Sequence, residues 1–169
     1  MALAETAGVP ELHRPSLIEV VASAYAMRRD FDQALVHFRA ARACCTLQQA
    51  PSFEAPIAVL ETLVAIRDGA NSSTVLEQSV MLLNETRNMQ FLQYVPELAS
   101  EFAAAALAGG FEVGYIHDLI RRRQLTPPGL DTESWPWPIK VSALGPFILA
   151  FEGSPMRSTG KAQRQSLDL

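Results

Sequence analysis

Apolar residues recur three and four positions apart through most of the first 123 positions, the spacing that gives a helix one oily side. Leu17, Val20, Val21, Ala24 and Met27 make the first such stripe and predict a helix over 16–28, with Pro15 at its entrance. A polar turn, Arg28-Arg29-Asp30, follows. Phe31, Ala34, Leu35, Phe38, Ala41 and Cys45 then predict a second helix over 31–45. Asp30 suits its N-cap, because a carboxylate accepts the backbone N–H groups that the first helical turn leaves unbonded. Two amphipathic helices joined by so short a turn pack antiparallel.

The pattern continues less regularly. Ile57, Leu60, Leu63, Val64 and Ile66 give a third stripe over 53–67, with Ser52 as its candidate cap, Pro56 in its first turn and Asp68-Gly69 at its end. Asn71-Ser72-Ser73-Thr74 followed by Glu77 resembles a capping box opening a fourth helix to 86, with Leu76, Val80, Leu82 and Leu83 facing inward. Val95, Leu98, Ala99, Phe102 and Ala106 mark a fifth over 96–107, stopped at Gly109-Gly110. Val113, Ile116, Leu119 and Ile120 mark a sixth over 112–123.

The stretch SLIEVVASAYAMRRDFDQALVHFRAARACC resembles a tetratricopeptide repeat. Ala22 and Tyr25 match the small residue and the aromatic of that repeat's first helix, and Ala34, Phe38 and Ala41 match its second. Ile18 stands where the repeat usually has Trp, and Thr46 stands near the place of its closing Pro. The resemblance implies antiparallel hairpins stacked as a tetratricopeptide-like solenoid over 1–124, able to hold a protein or peptide partner on its concave face.

Leu125 to Pro138, LTPPGLDTESWPWP, is too rich in proline for helix or central strand and is expected to be a linker, with Trp135 and Trp137 anchoring it on a neighbouring surface. From Ile139 the period changes from helix-like to two. Ile139 to Leu144 alternates as a half-buried strand does, Gly145-Pro146 bends the chain, and Phe147 to Phe151 is a second strand. Glu152-Gly153-Ser154 is expected to be a tight hairpin turn, Pro155-Met156-Arg157 a return strand, and residues 160–169 the start of a helix.

That order of strands and helix resembles the opening of the winged-helix domain of response regulators and antibiotic-pathway activators. The phrase from Trp135 to Gly145 and the tail GKAQRQSLDL carry the likeness. EVGYIHDLIRRRQLTPP before it looks like a junction in large bacterial transcription regulators of the maltose-activator kind, the signal-transduction ATPases. The resemblance implies a mainly α chain: helical repeats, a linker over 125–138, and an incomplete winged-helix domain over 139–169. It implies a cytoplasmic piece of a transcription regulator that would meet DNA only when intact. A head of this kind reads bases with its second helix, which is not in this sequence, so no DNA-contact residue carries over. A stand-alone repeat protein acting as an adaptor is the alternative.

Composition narrows the functions. Apolar residues form 49% and charged ones 19% of the 169 residues, enough to bury a core. A net charge of -4 argues against a chain-wide nucleic-acid surface. The start lacks the pattern of a signal peptide, and the longest apolar candidate, Phe102 to Phe111, is too short to span a membrane.

Candidate chemistry is sparse. Cys44 and Cys45 are adjacent, poor geometry for a disulfide and poor spacing for a metal. Arg121-Arg122-Arg123 is a basic run at the end of a predicted helix, where cations interact with the negative end of the helix more often than with phosphates. Lys161 and Arg164 lie where an intact head would approach DNA. His13, His37 and His117 are isolated, and His117-Asp118 has no nucleophile beside it. Glu97, Glu101 and Glu112 space out as a polar helix face. Gly109-Gly110 is a helix stop, not a phosphate loop. The expectation is therefore a protein that is not an enzyme, with no catalytic, cofactor or metal site and no cofactor.

Overall fold

A computed structural model describes residues 13–46, 50–70, 73–86, 90–130, 132–142, 148–151 and 154–156. The chain is mainly α, with one small antiparallel sheet. It divides into two compact units, one running to Glu133 and one beginning at Ser134.

The first unit holds α1 (Arg14–Met27), α2 (Phe31–Cys44), α3 (Pro51–Arg67), α4 (Ser73–Thr86), α5 (Gln90–Tyr94), α6 (Pro96–Gly109) and α7 (Val113–Arg123). Local chemistry sets many of the ends. Asp30 caps α2, its carboxylate accepting from the Gln33 N–H at 3.3 Å. Pro15, Pro51 and Pro96 sit in the first turns of α1, α3 and α6, where no helical N–H bond is lost. Gly110 closes α6 with a left-handed φ of 73°, a conformation without penalty only for glycine.

Two readings at α3 are corrected. The helix begins at Pro51 behind Ala50, so Ser52 lies inside it and not at its cap. Pro56 therefore falls in the second turn, where its missing N–H removes one helical bond. The short α5 was not foreseeable from a stripe, since five residues show less than two turns of periodicity. The segment 71–72, at the proposed capping box, lies outside the described residues.

The largest correction concerns α1. Its buried side is Pro15, Ile18, Ala22, Ser23 and Ala26. Val20 and Met27, members of the sequence stripe, are 63% and 65% exposed, and Leu17 and Ala24 are also on the outside. The helix is apolar almost all round, so periodicity alone does not choose a face. Ile18, Ala22 and Ala26 are spaced by four and line one side. Their small size lets α1 and α2, the most intimately paired helices, approach closely.

On α2 the stripe holds: Phe31, Ala34, Leu35, Phe38 and Ala41 are buried, while Cys45 is half-buried just beyond the helix. On α3, Leu60 and Leu63 are buried as expected. Ile57 and Val64 are only half-covered and Ile66 is exposed, because α3 packs on both α2 and α4 and its covered band is wider and rotated. Phe53, Val59 and Thr62 complete that band. On α4, Leu76, Val80 and Leu83 are buried and Leu82 is half-buried.

Alanine-rich α6 contacts α3, α4, α5 and α7 and carries the centre of the core. Phe102, Ala99, Ala103 and Ala106 have no exposed surface. Dense packing of this kind is where volume changes cost most. The first hairpin also reaches the later helices. The Phe38 ring meets Phe91 of α5 edge-on at 5.1 Å, and Arg29, just after α1, forms a two-pronged ion pair with Glu101 of α6.

The second unit contains β1 (Ile139–Ser142), β2 (Ile148–Phe151) and β3 (Ser154–Pro155), in the spatial order β1-β2-β3 with both pairings antiparallel. Ile139 faces Phe151 and Val141 faces Leu149, which puts four large apolar side chains on one side of the sheet. The alternation predicted a half-buried strand. No residue of β1 is buried, and Ile139, Val141 and Phe151 are each at least half exposed. Pairing explains the alternation; burial does not follow from it. The bend at 145–146, the turn residues 152–153 and the segment 160–169 lie outside the described residues.

Candidate functional site

Where the α1–α2 turn, the start of α2, α3 and α6 approach, Arg29, Phe31, Leu63, Ile66, Arg67, Glu101 and Pro128 line a cavity of about 450 Å³ in the helical unit. Its walls are mostly apolar and its rim is charged. Arg29 has a left-handed φ of 61°, and its guanidinium donates to the Glu101 carboxylate at 3.2 Å. That hydrogen bond, with the attraction of the same carboxylate behind it, holds the Arg29 proton more firmly than usual. Arg67 lies over the Phe31 ring at 5.8 Å and bonds Asp68 at 2.9 Å. Asp68 in turn sits below its ordinary carboxylate range, through that hydrogen bond. Each rim cation thus has its own anion. The cavity has shape and apolar wall to offer a ligand, but neither a nucleophile nor an uncompensated charge.

The residues that the sequence nominated are scattered. Arg122 reaches back to Asp118 at 3.6 Å, one helical turn away, so the Asp118 carboxylate faces a cation. Arg123 meets the Gln93 carboxamide of α5 when the amide is turned to present its oxygen. Arg121 is exposed in the last turn of α7. The three arginines answer the end of the helix and two different neighbours, and do not form one phosphate-binding face.

His37 stacks on Tyr25 at 5.1 Å, His117 is half-buried, and His13 is exposed before α1. Glu101 holds Arg29, Glu112 accepts from Asn84 at 3.1 Å, and Glu97 faces solvent. The three glutamates are not brought together. The two thiols are free and turn back on their own helix, Cys44 to the Ala41 carbonyl and Cys45 to the Arg42 carbonyl. Among the described residues, no cluster of three His, Cys, Asp or Glu side chains could hold a metal ion, and no helix is long and apolar enough to cross a membrane. Trp135 is buried and Trp137 half-buried. Lys161 and Arg164 lie outside the described residues.

Three polar groups escaped sequence reasoning. Thr62 and Ser79 share a buried hydroxyl–hydroxyl bond of 2.7 Å between α3 and α4. One hydroxyl donates to the other, and the second donates in turn to a carbonyl of its own helix, that of Ala58 for Thr62 or that of Val75 for Ser79, each 2.8 Å away. Hydroxyls inside helices look unremarkable until a second helix is laid against them. Glu19 did leave a signal: it is the only charged residue between Arg14 and Arg28.

No protein-family model matches the chain, and neither a curated protein nor a solved structure is found to match it.

Proposed function

We propose that this chain is part of a bacterial transcription regulator, in which the helical unit receives a protein or peptide partner and the strand unit is the first edge of a winged-helix DNA-binding head. The observation that carries the reading is the apolar side of the β1-β2 sheet. Ile139, Val141, Leu149 and Phe151 are aligned across the strands; Ile139, Val141 and Phe151 are at least half exposed and Leu149 is partly covered. A sheet of three short strands is marginal without something laid on its oily side. The first helix of a winged head is the kind of element that lies there.

Mechanistically, partner binding on the helices changes how the head is presented to DNA. Reading of bases belongs to a helix outside the sequence in hand, so the isolated chain binds DNA weakly and without sequence preference. The proposed setting is the cytoplasm, with no catalytic step and no cofactor of its own.

Chromatin immunoprecipitation of the natural gene product tests the proposal. Enrichment at a few discrete promoter regions is expected, and a flat genomic profile would sink it. A gel shift on the isolated chain is expected to show no specific complex at submicromolar concentration.

The second reading is a protein-interaction adaptor that needs only its helices. Support comes from the separate core of the unit ending at Glu133. Unchanged partner capture after removal of residues 134–169, together with a flat genomic profile, would favour it.

A further inference from the structure

A second cavity, of about 310 Å³, opens between α1, the start of α3 and α5. Pro15, Val20 and Phe53 give it apolar walls, and Tyr94 contributes an aromatic ring. Glu19 is the charged group of its lining. Its carboxylate is half-buried and makes no hydrogen bond or ion pair among the described residues. Burial alone pushes its pKa above the usual carboxylate value. Ser23, one turn further along α1, lines the same cavity. It is only 5% exposed, and its hydroxyl oxygen has no hydrogen-bond partner. Leaving a buried polar atom unbonded is costly, and most native proteins avoid it. A carboxylate and an orphan hydroxyl beside one cavity form a set of acceptors waiting for a donor.

From this geometry we infer that the cavity binds a primary ammonium group carried on an aliphatic stem. An ammonium has three donors and no acceptor, which matches a carboxylate oxygen and a serine oxygen. The positive charge answers the isolated Glu19, and an aromatic ring in the lining, that of Tyr94, favours a cation further. Val20, Pro15 and Phe53 lie against the methylene stem. A bare metal ion is a poor occupant, because the lining offers one carboxylate and otherwise only the neutral hydroxyls of Ser16, Ser23 and Ser52 beside its apolar residues. This assignment deepens the reading of the helices as the partner-receiving part and rests on it. The ammonium comes either from a free alkylamine or from a lysine side chain of a partner protein.

The test is titration of the full 169-residue chain by NMR with two probes, n-pentylamine and Nα-acetyl-lysine methylamide. Saturable shifts confined to the amides around residues 15–23, 52–54 and 94 are expected with both. Tighter binding of the lysine amide assigns the site to a protein partner, and tighter binding of the alkylamine to a free amine. Glu19→Gln is expected to weaken both at least about tenfold, the scale of one lost charge-assisted hydrogen bond. Tyr94→Leu is expected to weaken them a few-fold. Circular dichroism of each variant checks that its helices remain. Equal binding of n-hexanol or the norleucine amide would overturn the inference, as would unchanged affinity in E19Q. A flat genomic profile in the immunoprecipitation leaves this titration unaffected, so the two proposals fail separately.

Discussion

The helical unit and the strand unit obey the same sequence grammar to opposite effect. Both show apolar periodicity, close to 3.6 through the helices up to Arg123 and of two from Ile139. In the helices the periodic apolar residues meet one another across element boundaries and are sealed: Phe38, Phe102, Ile116 and Leu119 have no exposed surface. In the sheet the cross-strand partners are just as well aligned, yet Ile139 is 58% and Val141 60% exposed. Local pairing is therefore separable from burial. Helices 14 residues long can wrap around a shared centre such as α6. A sheet of four-, four- and two-residue strands has one apolar side and needs a second layer.

The difference can be broken most forcefully in the core. Phe102→Ala is expected to cost about 3–5 kcal/mol in urea unfolding, since it empties a fully packed site. Phe151→Ala, 51% exposed, is expected to cost less than about 1 kcal/mol. Similar losses from the two would show the sheet to be packed in solution. Hydrogen exchange sharpens the same contrast. Amides inside α2, α3 and α6 are expected to exchange on the order of a hundredfold more slowly than those of β1–β3. Comparable protection in both units would mean that the strands are sealed by something.

Smaller effects test the joints of the helical unit. Gly110→Ala is expected to lose about 1–2 kcal/mol, because a Cβ is strained at φ 73° although the space around it is open. An Arg29→Gln change is expected to lose no more than about 1 kcal/mol, the usual scale of a solvent-screened ion pair. A larger loss would make that link between α1 and α6 a principal tie between the first and later helices.

The smallest expected effect is a slope with pH. The Glu19 carboxyl lies above its ordinary 4.5 when folded, because burial penalises its charge. The folded chain then holds this proton more tightly than the unfolded chain. Its favourable contribution is fully present below the unfolded value and is lost as pH rises through the folded value. E19Q should therefore gain stability relative to the natural chain as pH rises above the ordinary carboxylate value of 4.5. A difference that stays constant with pH would show that the carboxylate is not desolvated.

Much of the fold was legible along the chain. Asp30 as a cap, Gly109-Gly110 as a stop, and the inward faces of α2, α4 and α6 followed from spacing and cap chemistry, because each is decided within a few residues. The second cavity was half-legible: Glu19 is a lone charge in an oily helix with Pro15, Val20 and Ser23 close by in sequence, but Phe53 and Tyr94, which complete the lining, lie far along the chain.

What the residues determined unaided was therefore the local grammar: where helices begin and stop, where the period changes to that of a strand, and that Ile139 and Val141 share one side. Choosing Ile18, Ala22 and Ala26 over Leu17, Val20 and Met27 as the buried side of α1 belonged to the tertiary structure. So did the joining of Thr62 to Ser79, and the decision to seal one set of apolar residues while leaving another open. The reason is physical. Periodicity fixes which side chains point together, whereas burial depends on a neighbouring surface of the right shape, and the chain supplies that surface from a distant part of its length.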